Sequence, residues 1–169
     1  MNTTEMKHYV SAEWNFALDI PRRWNSFPAV SANSPYEVIR FASHEHGNHL
    51  LIIFREPHDP MQSLTEVAGR VEKQVLARKG FRNFATAETT IGSRPALMLD
   101  FDKPQDDANS PLVLQGDQYV LRPGHLWSCR HYFVTEGTLR YTLGFGTTNK
   151  TGMFELYHRV ASTFEIVAA

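Results

Sequence analysis

At 169 residues with 42% apolar content, the chain has enough material for one compact domain with a proper core, and order is expected over most of its length. Lys and Arg total 17 against 18 for Asp and Glu, so the formal net charge of -1 gives no overall pull toward nucleic acid or anionic lipid. A single cysteine, Cys129, excludes an internal disulfide framework and suits a reducing compartment.

Met1 to Trp14 contains Glu5, Lys7, His8 and Glu13 and no apolar run of signal-peptide length, and no later segment is long enough to span a bilayer. A cytoplasmic setting without membrane contact is the expectation. Trp14, Phe16, Leu18 and Ile20 alternate with Asn15, Ala17 and Asp19, the period of a strand with one buried face, which Pro21 ends. Arg22, Arg23 and Trp24 follow in a turn. Tyr36 to Ala42 is mixed in polarity, whereas Leu50 to Phe54 is apolar throughout, so the latter predicts a central strand covered on both sides. His44 to Asn48, with Gly47, makes the hairpin between them.

Ser63 to Lys79 carries the clearest helix signal. Ser63 and Glu66 form a capping box, Leu64, Val67, Ala68, Val71, Val75 and Leu76 recur at helical spacing, and Gly80 stops the run. The apolar stripe is expected to rest on the sheet through Leu50 to Phe54, with Glu66, Arg70, Glu72, Lys73 and Arg78 in solvent. Phe81 to Thr90 and Pro95 to Asp102 predict an antiparallel hairpin turned at Gly92 and Ser93. From Lys103 to Gly124, two short apolar runs, Leu112 to Leu114 and Tyr119 to Leu121, flank Gly116 and Asp117 and read as a small protruding hairpin. Leu126 to Val134 and Leu139 to Phe145 are two further strands, and Thr151 to Phe164 places Phe154, Tyr157, Val160, Ala161 and Phe164 on one helical face.

The order strand, Ile20-Pro21-Arg22-Arg23-Trp24, strand pair, capped helix, Gly80-Phe81, Ile91-Gly92-Ser93-Arg94-Pro95-Ala96, strands and a C-terminal helix ending near Ser162-Thr163-Phe164 resembles the PsbP-like superfamily. That superfamily includes the Mog-type Ran-binding proteins and bacterial proteins of unknown role. The resemblance implies an α+β fold: one domain over residues 1–169, with a central antiparallel sheet of six to seven strands flanked by helices in an α/β/α sandwich. It implies no shared catalytic machinery or cofactor, since members act as binding or assembly partners. The excursion from Lys103 to Gly124 has no counterpart in the pattern.

Among chemistry-bearing residues, His44, His46 and His49 could begin a metal site, because imidazoles two apart on an extended segment point the same way. Asn48 stands where a His-Glu-x-x-His motif needs its second histidine, so a solvated hairpin tip is the simpler reading and no metal is assigned. Cys129 and His131 share a strand face with Trp127 and Phe133, which favours a buried core cysteine over a nucleophile. Asp100, Asp102, Asp106 and Asp107 lack calcium-loop spacing and read as a solvated strand end, while Gly144 and Gly146 lie inside a strand and predict close packing rather than a phosphate loop. Two partner-binding candidates remain. The cation-plus-aromatic turn Arg22, Arg23, Trp24 suits an interface, although for Trp24 a plug at one end of the core is the simpler reading. Leu112, Leu114, Tyr119 and Leu121 on the protruding hairpin are hard to bury internally and would extend the sheet or meet another chain. The expected function is a non-catalytic binding or assembly module for an unidentified protein partner. The alternatives are a metal-dependent hydrolase using His44, His46 and His49, and a purely structural homodimer.

Overall fold

An N-terminal strand that the sequence does not announce, β1 (Met6–Ser11), pairs antiparallel with β2 (Phe16–Pro21) in a computed structural model that describes residues 4–43, 49–78, 80–104, 113–115, 118–120, 126–148 and 152–167. Past the Arg22-Arg23-Trp24 turn come β3 (Asn25–Pro28), β4 (Glu37–Ser43) and β5 (His49–Pro57). Helix α1 (Leu64–Leu76) starts where its cap predicts: the Ser63 hydroxyl accepts the Glu66 amide at 3.1 Å. The hairpin β6 (Arg82–Ile91) and β7 (Arg94–Pro104) turns at Gly92, whose φ of 59° favours glycine. Then follow β8 (Val113–Gln115), β9 (Gln118–Val120), β10 (Leu126–Glu136), β11 (Leu139–Thr147), α2 (Met153–Ser162) and β12 (Glu165–Ile166).

Seven strands form one antiparallel sheet in the order β3-β4-β5-β11-β10-β7-β6, which meets the expected sheet. A second, three-stranded sheet, β1-β2-β12, was not expected; its outer strands are short or half-exposed, so alternation is faint there. The apolar run Leu50 to Ile53 is central and buried on both faces, as its composition requires. One face carries Phe41, Leu51, Ile53, Tyr132, Leu143 and Phe145 against α2 and the small sheet. The other carries Leu50, Ile52, Leu97, Leu99, Phe101 and Phe133 in one cluster with Val67 and Ala68 of α1.

Helix α1 does not rest chiefly on β5. It packs on β7 and β6, because it must deliver the chain to β6 at the sheet's edge and its axis is carried that way. The face of β5 and β11 on the α1 side is therefore only partly roofed.

Candidate functional site

In the register of β10 on β11, His131 lies opposite Gly144 and Cys129 opposite Gly146. Neither glycine has a Cβ to fill the space above it, so neighbouring rings lie down on the β11 backbone. A Cβ on Gly144 would sit 3.2 Å from His131 Nε2, and one on Gly146 would sit 3.0 Å from the Trp127 ring. The glycines thus serve close packing, as their place inside a strand predicts. Above them, between displaced α1 and β5, runs a cleft of about 250 Å³. Leu50, Ile52 and Phe54 wall one side, and Val75, Phe81 and Phe101 the other, while His131 forms part of the floor. Asn33 and Ser34 make the far lip, and exposed Gln74 and Arg78 lie along the α1 rim.

A buried carboxylate joins the backbone turn bonds that hold the far lip. Glu37 accepts the Val30 amide at 3.1 Å and the Asn33 side-chain amide at 2.8 Å, and forms a two-point ion pair with Arg40. Both members of that pair are almost fully enclosed.

Burial governs the chemistry of the floor. It pushes the Cys129 thiol up to about 11, against the opposing pull of Lys103, and burial together with the Lys103 charge pushes the His131 imidazole down to about 3. Both groups are neutral near pH 7. An activated thiolate–imidazolium pair needs the opposite shifts, a lowered thiol and a histidine that stays charged.

His49 is buried, not on a solvated tip: its Nδ1 shares a hydrogen bond with the Tyr157 hydroxyl at 2.9 Å. His44 and His46 lie outside the described residues, and among the described residues no group of three metal-ligating side chains occurs. Trp24 departs from the role of an exposed anchor. It is 3% exposed and stacks on His49 with ring centroids 6.4 Å apart, so it plugs the core. Arg22 and Arg23 stay at the surface, with Arg22 beside Glu5 at 3.2 Å. Leu114 faces Tyr119 in the β8–β9 register, whereas Leu112 and Leu121 lie outside the described residues. Asp100 pairs with Arg130 through contacts of 2.8 and 2.9 Å, and Asp102 accepts from Asn83 at 2.8 Å, which ties up the acidic strand end. Asp106 and Asp107 lie outside the described residues.

The registers add something that linear distance hides. Ser43 faces His49, Lys103 faces Trp127 and Ser128 faces Thr147, so the β4–β5 connection, the excursion after β7 and the β11–α2 connection all leave from one end of the large sheet. The cleft was missed from sequence because its walls come from segments far apart in the chain. The one usable signal was Gly144 and Gly146, spaced to match Cys129 and His131 across a strand pair.

No protein family profile matches the chain, and no curated relative matches it. Solved structures do. The chain is similar to cyanobacterial PsbP (CyanoP) from Synechocystis sp. PCC 6803, with a TM-score of 0.66 at 15% identity over 98% of this chain and 94% of that one. It is similar to LpqN of Mycobacterium tuberculosis, a protein involved in cell envelope biogenesis, with a TM-score of 0.62 at 11% identity over 97% and 91% of the two chains. PA94, a protein of unknown function from Pseudomonas aeruginosa, matches with a TM-score of 0.55 at 16% identity over 94% of each. The chain has the PsbP-like fold over nearly its whole length.

Proposed function

We propose that this chain is a non-catalytic binding or assembly module that acts through protein contact in the cytoplasm. The observation that carries the reading is the hairpin of β8 and β9, which among the described residues pairs within itself and with neither of the larger sheets. A two-stranded hairpin is marginal in water by itself, so a partner surface that covers it would complete it. The excursion between β7 and β10 contains Val113, Leu114, Tyr119 and Val120, an apolar set suited to such a contact. Support against enzyme chemistry comes from the neutral states of Cys129 and His131, and the burial of His49 against Tyr157 weighs against the hydrolase reading. The homodimer reading draws on the free edge of β6, which is mostly exposed along its length.

The test compares chemical crosslinking partners of the native chain with those of a Leu114→Asp, Tyr119→Asp double variant in cell extract. At least one partner crosslinked through residues 103–124 is expected to vanish in the variant while the melting temperature stays unchanged. Identical partner sets would sink the hairpin's role, and a dimeric mass for both proteins would favour the β6 edge instead.

A further inference from the structure

We infer that the cleft between α1 and β5 is a binding site for a small, flat aromatic carboxylate. Its volume of about 250 Å³ lies just below the usual range for ligand pockets, which suits a molecule of one or two fused rings. Its walls are apolar and aromatic, Ile52 and Phe54 facing Val75 and Phe101, so the body of the ligand must be apolar too. The floor carries the His131 ring beside the buried Cys129 thiol, and among the described residues that ring has ring-edge contacts to Phe101 and Phe133 but no hydrogen-bond partner. Lying flat over Gly144, the neutral imidazole turns its ring face to the cleft, a surface on which a flat aromatic ring can stack.

The charge at the rim selects the sign of the ligand. The Arg78 guanidinium lies over the Phe81 ring, 5.6 Å from its centroid, and among the described residues no carboxylate pairs with it. Lys103 adds a second positive charge on the same face, near enough to act on both Cys129 and His131. Planar, fork-shaped guanidinium recognises a carboxylate in two-point fashion, and its place over Phe81 keeps it at the mouth of the cleft. The larger hollow beside the N-terminus of α1, about 690 Å³, offers no comparable charge, since its Arg94 is already paired with Glu136.

The experiment titrates the full chain with 2-naphthoate and with 2-naphthylmethanol, its neutral counterpart, by calorimetry and by NMR of the histidine ring signals. Naphthoate is expected to bind at least tenfold more tightly than the alcohol and to shift the His131 ring signals saturably. Arg78→Gln, a change on an exposed side chain, is expected to bring naphthoate down to the alcohol's affinity and leave the alcohol unaffected. Val75→Trp, which fills the cleft from the helix side, is expected to abolish both. Binding that leaves the His131 signals unmoved, or an Arg78→Gln protein that keeps the native preference for the acid, overturns the assignment. These outcomes are independent of the hairpin, so failure here leaves the protein-contact reading standing.

Discussion

His131 places an ionisable ring where charge is costly, and that makes stability depend on pH. Its folded pKa, near 3, lies below the ordinary value of 6.5, so the unfolded chain takes up a proton first as pH falls. The contribution is therefore whole above about pH 6.5 and is lost as pH drops toward 3. The ceiling is about 1.4 kcal/mol per pH unit, and the ring's partial opening to the cleft keeps the real slope lower. Urea unfolding is expected to show the native protein losing stability relative to His131→Phe by up to about 1 kcal/mol per unit as pH falls from 6 to 4; parallel curves would contradict it. Cys129 shows what single residues reveal beforehand. Its large apolar neighbours at alternate positions already implied burial, and the structure buries it. Trp24 was harder, because a turn residue beside two arginines fits an interface as well as the preferred core plug until His49 and Tyr157 are brought beneath it by long-range pairing.

Elements with strong local signals were readable and those defined by their neighbours were not. Ser63 and Glu66 fix the start of α1 through a cap that needs only three residues of sequence, and the apolar run at Leu50 to Ile53 fixes a central strand by composition. Strands β1, β3 and β12 are short or half-exposed, so alternation could not mark them. Where α1 lies is a tertiary matter: its stripe shows which side faces inward but not which strands receive it. The cleft exists because of that lateral choice, and its opposite lip is tied in part by a buried acid. Glu37→Gln leaves Arg40 as an enclosed, uncompensated charge and loosens the loop around Asn33. A loss of about 3 kcal/mol is expected in urea denaturation, with faster amide exchange at Val30. A stability change near zero would show that water reaches the pair.

At the scale of the whole molecule, the two sheets are fused by one aromatic seam. Phe164, just past α2, stacks on Phe16 of β2 at 5.7 Å and tilts against Tyr141 of β11 at 5.4 Å. Such a seam predicts a single unfolding transition rather than separate melting of the small sheet. Phe164→Ala is expected to cost about 3–5 kcal/mol and still give coincident near- and far-ultraviolet dichroism curves; two resolved transitions would show the small sheet to be an independent unit. The far rim of the large sheet has a different bearing, on how crowded copies of the chain behave. Strand β6 offers ten residues of edge backbone, yet Asn83 turns into the left-handed region at φ 60° and the pairing slips between Arg82 and Ala85. That kink throws one end of the rim out of line, and Arg82 and Glu88 place opposite charges along it. That break in the run of backbone donors and acceptors makes the rim a poorer template for sheet extension than a straight strand of ten residues would be.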